Sequence, residues 1–262
     1  MNRRAAAPLD AYVLHRYDWS ETSLILDLFT RARGRLAVAA KGAKRPYSQL
    51  RSVLLPFQRL AVTVGRQAED AQAEVLTLRG AEWAGADATP VLPSPRLFAG
   101  FYLNEMLMKL MPRGEVQPAL FDAYSGTLAA LAVADDANEQ AALRAFELIL
   151  LREGGLLPEL DRLTATQQAV DPAHGYLVHA ERGVIDAAGG VLGIPGRDLL
   201  AIDVALRRGD ADALRTACAR TAESLRPVLR LLVHYHLGSP TLRTRAVMRD
   251  VRQMIAAPGA SR

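Results

Sequence analysis

Gly34-Arg35-Leu36-Ala37-Val38-Ala39-Ala40-Lys41 reads as a β-strand. Leu36, Val38 and Ala40 fall on one face, and Arg35, Ala37, Ala39 and Lys41 on the other, because successive side chains of a strand point to opposite sides. Just before it, Thr30-Arg31-Ala32-Arg33-Gly34 is a short hairpin connection, with Gly34 available for a positive φ. Working outward, Asp10–Arg16 and Ser23–Thr30 precede this strand, and Gln58–Val64 and Ala73–Arg79 follow it. Each is five to eight residues long and rich in Val, Leu, Ile, Thr or aromatic side chains. In the fourth, Leu60, Val62 and Val64 oppose Arg59, Ala61 and Thr63. Gly42–Pro56 separates the third and fourth strands, and Tyr47–Leu55 within it has the composition of one short helix. Five strands with a helix between the third and fourth are the arrangement of an OB-fold, a small barrel that commonly binds oligonucleotides.

Beyond Pro90 the periodicity changes. Pro90, Pro93 and Pro95 mark a linker, and Ser94-Pro95 is a helix N-cap followed by a first-turn proline. Arg96–Met111 is apolar on nearly every face, as expected for the buried centre of a helical domain. Helices are expected at Pro118–Val133 and at Glu139–Glu153, the latter ended by Gly154-Gly155. Asp135 and Asp136, at the start of that helix, complement its dipole. Residues 154–195 are rich in Gly, Pro, Asp and Ala and read as an irregular lobe with one hairpin. Helical periodicity returns at Arg197–Arg208, Ala211–His236 and Leu242–Ile255, and Pro227 is expected to kink or split the long middle helix. The expected fold is therefore α+β: an OB-fold barrel over residues 1–84, a helical domain over 90–153 and 196–256, and the irregular lobe between.

The 262 residues are half apolar and 23% charged, which argues against global disorder. No run approaches the roughly 18 apolar residues of a membrane span, and the first ten residues lack the apolar stretch of a signal peptide. With a single cysteine, Cys218, no internal disulfide or cysteine metal cluster is possible. These features indicate a cytoplasmic protein with no membrane partner. The net charge of +4 hides a strong separation. Residues 1–66 carry 12 basic and 4 acidic residues, 67–214 carry 11 and 22, and 215–252 carry 8 and 2. Arg31 to Arg66 holds nine basic residues and no acidic one. That run points to a polyanion partner for the N-terminal part, or else to a solvated basic face.

Catalytic constellations are missing. Gly42-Ala43-Lys44 lacks the spacing and the Ser/Thr of a phosphate-binding P-loop. His234 and His236 point about 200° apart on a helix and cannot share a metal. No catalytic residue, cofactor or metal is expected, and the function class is binding rather than turnover. For nucleic acid the candidates are Arg31, Arg33, Arg35, Lys41, Lys44, Arg45 and Arg51, with Tyr47 as a stacking surface. Tyr17 and Trp19 are further aromatics, Trp19 being expected in the core. A second basic set, Arg215, Arg226 and Arg230, falls within about 60° on an ideal helix. Arg243, Arg245, Arg249 and Arg252 continue it. On these residues alone, an RNA-binding OB-fold protein fits as well as a DNA-binding one.

Several ordered strings carry a resemblance. Tyr17-Asp18-Trp19-Ser20-Glu21-Thr22-Ser23-Leu24-Ile25-Leu26-Asp27-Leu28-Phe29-Thr30, then Gly34-Arg35-Leu36, Ala40-Lys41-Gly42-Ala43-Lys44-Arg45-Pro46 and Leu55-Pro56-Phe57, closely resemble the N-terminal domain of the bacterial RecO family. Phe101-Tyr102-Leu103-Asn104-Glu105-Met106-Leu107 and Arg144-Ala145-Phe146-Glu147-Leu148 resemble its central domain. His236-Leu237-Gly238 and Leu242-Arg243-Thr244-Arg245 resemble its C-terminal segment. The resemblance implies a non-catalytic mediator of recombinational DNA repair, associated with the nucleoid. Such a mediator binds single- and double-stranded DNA and anneals complementary strands. With RecR it helps load RecA onto strands coated by single-stranded-DNA-binding protein, whose C-terminal tail it recognises. It implies DNA contacts at Arg35, Lys41, Lys44, Arg45 and Arg51, and tail binding at Arg144 beside Phe146. Some family members bind zinc through cysteine pairs in the lobe. Residues 156–190 contain no cysteine, so no zinc is expected here.

Overall fold

The computed structural model describes residues 7–65, 75–85, 91–187, 193–238, 242–244 and 247. They form two compact units. The first contains the chain up to Ser94 together with Met106–Ala132, and the second contains Pro95–Glu105 and the chain from Val133 onward.

In the first unit, β1 (Leu9–Asp18), β2 (Leu24–Thr30), β3 (Gly34–Ala40), β4 (Leu60–Val64) and β5 (Val75–Trp83) close into a barrel. The order is β1-β2-β3-β5-β4; β3 and β5 pair in parallel and the other neighbours are antiparallel. A four-residue helix, α1 (Leu50–Val53), lies between β3 and β4. The expected OB-like barrel with its inserted helix is therefore observed. Alternation works as the sequence predicts: Val13, Leu26, Leu28, Val38, Leu60 and Val62 fill one buried cluster, contributed by four different strands. Closure removes the exposed strand edges that an open sheet of this size would present.

The outward face of β1–β3 is covered as well. Tyr12 and Phe29 are fully buried against α3 (Pro118–Val133), with Tyr12 ring centroids 5.3 Å from Phe121 and 5.0 Å from Tyr124. The Tyr12 hydroxyl is 2.8 Å from Ser125 Oγ, which satisfies a polar tip that would otherwise be costly to bury. This second layer explains why Ala37 and Ala39, on the face opposite Leu36 and Val38, are buried too.

Gly34 is indeed at positive φ, +64°, and it has a second constraint. A Cβ there would lie 2.0 Å from the Glu115 carbonyl oxygen, so the turn also needs the close backbone approach that only glycine permits.

The second unit contains the first part of α2 (Leu97–Leu110), then α4 (Asp136–Glu153), α5 (Gly196–Arg208), α6 (Ala211–Arg220) and α7 (Ala222–Leu237). Asp135 caps α4 by accepting the Asn138 N–H at 2.8 Å, so this helix starts three residues earlier than its apolar periodicity indicates. From Ala141 to Leu148 every residue of α4 is buried, and the helix packs against α6 and α7. The lobe holds β6 (Gly175–His179) and β7 (Gly183–Asp186) as the expected hairpin, extended by β8 (Ile194–Pro195) in the order β7-β6-β8.

The expected long helix Ala211–His236 is two helices, and the break falls at Thr221 rather than at Pro227. Thr221 donates its hydroxyl to the Ala217 carbonyl and its own carbonyl accepts from Leu225 N–H, so it ends one helix and starts the next. Pro227 then lies one turn inside the new helix, where it has no N–H to offer the Glu223 carbonyl. The expected helix Leu242–Ile255 lies largely outside the described residues.

Cys218 is fully buried, and burial pushes its thiol up to about 12. At pH 8 the thiolate is then on the order of one molecule in ten thousand. Ellman's reagent should therefore label the folded protein far more slowly than the protein in guanidinium; comparable rates would show that α6 opens freely.

Candidate nucleic-acid interface

The candidate cations between Arg31 and Arg51 separate about the two ends of β3. Arg31 and Arg33 lie in the β2–β3 turn, whereas Lys41, Lys44, Arg45 and Arg51 follow the other end of the strand. Seven residues at about 3.3 Å each put roughly 20 Å between the two ends. The continuous basic run of the sequence is thus not one continuous patch.

At the turn end Arg31 and Arg35 are already engaged. Arg31 forms a bidentate pair with Asp122, at 2.9 and 2.8 Å, and that pairing holds the Asp122 carboxyl below its usual range. Arg33 is half-buried. Arg35 is only 7% exposed. Its guanidinium donates to both Asp27 oxygens, at 3.2 and 2.8 Å, and to the carbonyls of Met108 and Met111, at 2.6 and 2.5 Å. Those carbonyls belong to the C-terminal end of α2, where helices leave acceptors unsatisfied and favour a positive charge. Arg35 thus has the surroundings of an internal fastener, not of a phosphate contact.

The other end is open. After β3 the chain turns at Gly42, where φ is +73°, and Ala43 tucks inward, 1% exposed. Lys44 N–H donates to Thr22 O at 3.0 Å, which ties this loop to the β1–β2 hairpin. The Lys44 ammonium also reaches Asp18 at 3.0 Å and Ser20 O at 3.2 Å. Lys41, Arg45 and Arg51 are exposed, and Tyr47 is 98% exposed. Tyr17 and Trp19 extend from the neighbouring hairpin at 45% and 58% exposure, so the expectation that Trp19 belongs to the core is corrected. Its position in the β1–β2 connection, past the last inward-facing residue, keeps it outside the barrel.

Arg16 is the site residue that sequence reasoning missed. It lies on β1, is exposed, and donates to the Leu54 carbonyl at 3.3 Å beside α1. Burial on β1 ends at Leu14, and from His15 to Asp18 every side chain faces solvent, which the sequence does not announce. Arg16, Lys44 and Arg51 border a cavity of about 430 Å³ in this end of the barrel.

In the second unit, Arg215 pairs with Asp212 on α6, while Arg226 and Arg230 are exposed one turn apart on α7. The helix break at Thr221 means that these three do not share one ideal helical face. Arg245, Arg249 and Arg252 lie outside the described residues. Arg144 is 4% exposed and bonds Glu147 at 2.9 Å; Glu147, fully buried, also accepts from the Tyr102 hydroxyl. Among the described residues, Nε and Nη1 of Arg144 have no hydrogen-bond partner. Phe146 is fully buried. A peptide approaching from solvent therefore meets neither side chain directly. Among the described residues no three His, Cys, Asp or Glu side chains group as metal ligands, and no helix is long and apolar enough to cross a membrane.

A closed five-stranded barrel with a helix between its third and fourth strands, bearing cations and exposed aromatics at one end, has the architecture of the OB-fold class. Comparison narrows the class to a family. A family model described as Recombination protein O N terminal matches residues 7–83, and one described as Recombination protein O C terminal matches residues 95–246. The chain is 46% identical over 253 residues to a DNA repair protein RecO of Variovorax paradoxus (strain S110), covering 93% of this chain and 96% of that protein. It is 43% identical over 265 residues to a DNA repair protein RecO of Acidovorax ebreus (strain TPSY), covering 97% of this chain and 100% of that protein. The chain belongs to the recombination protein O (RecO) family of DNA repair proteins.

Proposed function

We propose that this protein is a non-catalytic recombination mediator that binds single- and double-stranded DNA at the α1 end of its barrel and anneals complementary strands. With RecR it helps load RecA onto strands coated by single-stranded-DNA-binding protein. The observation that carries the reading is the open cluster of Arg16, Lys41, Lys44, Arg45 and Arg51, with Tyr47 fully in solvent, on a barrel of the RecO family. Annealing needs a surface that offsets repulsion between two phosphate backbones while leaving most base edges free to pair, and surface cations provide this through phosphate contacts. Arg226 and Arg230 on α7 are a second, separate cationic surface available to another strand. Recognition of the tail of single-stranded-DNA-binding protein belongs to the second unit, with Arg144 and Phe146 acting from beneath the surface rather than by contact.

The test is fluorescence anisotropy of a labelled single strand titrated at several salt concentrations, with a matched RNA strand alongside. If about five phosphates are contacted, log affinity falls with log salt at a slope near −3.5, and changing Lys41, Lys44 and Arg45 to alanine flattens it by about two. An unchanged slope in the triple variant removes the barrel from DNA binding and transfers it to α7. Tighter binding of the RNA strand would indicate readout of the 2′-hydroxyl and overturn the assignment to DNA.

A further inference from the structure

The cavity beside α1 is more than a gap in a basic patch. We propose that it receives one unpaired nucleotide of a DNA strand, base inward and phosphates on the rim. This inference rests on the DNA-binding reading and adds to it a preference for unpaired over paired strands.

Three properties carry it. Its volume of about 430 Å³ lies in the range of pockets that enclose small ligands, about 300–1,000 Å³. Its apolar lining is offered by the half-buried Leu24 and Leu50, backed by the buried Ala43 and Leu54. Its rim carries the three cations Arg16, Lys44 and Arg51. An apolar lining under a cationic rim fits a ligand with a flat, weakly polar ring and anionic groups attached to it. A nucleotide has that form. In a duplex each base is stacked and paired, and turning one out costs a few kcal/mol, so a strand already single enters more readily.

A fourth feature indicates what the base must offer. Asp18, with a side chain 79% exposed, also lines the cavity, 3.0 Å from Lys44. A carboxylate repels phosphate and, by pairing with Lys44, weakens a groove that only follows a backbone. It can accept a hydrogen bond from the exocyclic amino group of cytosine, adenine or guanine. Thymine has no such group, and its ring N3–H lies between two carbonyl oxygens that repel a carboxylate.

The experiment compares three labelled strands of equal length and charge: oligo-dC, oligo-dT and a strand of abasic sites. Oligo-dC is expected to bind about threefold to tenfold more tightly than oligo-dT, and Asp18→Ala to bring that ratio to one. Asp18→Ala also releases Lys44, which strengthens binding of every strand alike, so the ratio is the readout. Leu50→Trp, which fills the cavity from its half-buried edge, should weaken oligo-dC about fivefold or more and leave the abasic strand unaffected. That contrast separates entry into the cavity from stacking on Tyr47 or Trp19. Equal binding of oligo-dC and oligo-dT, or an unchanged oligo-dC affinity in Leu50→Trp, overturns the inference while leaving DNA binding intact. No binding of any strand at low salt overturns both readings together.

Discussion

Arg35→Ala should lower the stability of the barrel unit by about 3–5 kcal/mol. The guanidinium is buried, bonds both Asp27 oxygens, and satisfies carbonyls at the end of α2. Among the described residues, truncation leaves Asp27, itself 2% exposed, the longer 3.3 Å contact from the half-exposed Arg113, and strips those carbonyls of a donor. Both tryptophans, Trp19 and Trp83, belong to this unit, so their fluorescence in a urea titration reports its unfolding specifically. Arg45→Ala, at an exposed position, should stay within about 0.5 kcal/mol of the parent. A loss below about 1 kcal/mol for Arg35→Ala would refute the fastening role and restore Arg35 as a candidate DNA contact.

The second large effect is expected at Arg144. Removing it breaks the buried pair with Glu147, 2.9 Å away, at a cost again of about 3–5 kcal/mol, now in the helical unit. Arg144→Ala should lose far-UV ellipticity at lower urea than the parent, while the tryptophan transition of the barrel remains in place. The double change Arg144→Met with Glu147→Leu replaces the pair by apolar side chains of similar size and should recover much of the loss. Any fall in peptide binding by the single variant must be compared with the double one. A double variant that is stable yet fails to bind the tail peptide assigns the arginine a direct part in recognition. A stable single variant would contradict the buried pair.

Much of the barrel was legible because its rule is local. Alternation at a period of two marked the third and fourth strands, length and β-rich composition marked the other three, and the composition of Tyr47–Leu55 located α1. What covers a strand's outer face is not local. Arg35 looks like a solvent-facing strand cation until residues from Met108 to Tyr124, more than 70 positions later, lie over that face. The same distance effect hid the division of the basic run: consecutive cations on one strand and its flanks are delivered to opposite ends of the barrel, and a count of charges along the chain cannot register this. Arg16 was missed for the converse reason, since a single arginine on a strand gains meaning only from its neighbours across the cavity. Helix existence in the second unit was readable from periodicity, but the break at Thr221 was not. Proline is the louder signal, whereas a threonine that bonds in both directions resembles any other helical residue.

Glu105 gives the molecule a timetable. Its carboxylate, 7% exposed, accepts the N–H groups of Arg243 and Thr244, at 2.8 and 2.9 Å, and the Thr244 hydroxyl at 2.7 Å, a pairing that spans 139 residues. A ribosome adding about 5–20 residues per second supplies those donors roughly 7–28 s after Glu105 itself. The barrel unit, by contrast, has all its parts once Ala132 has been added. It can be finished while the helical unit still waits for its closing segment, so the nascent chain carries a completed barrel well before the rest of the protein exists.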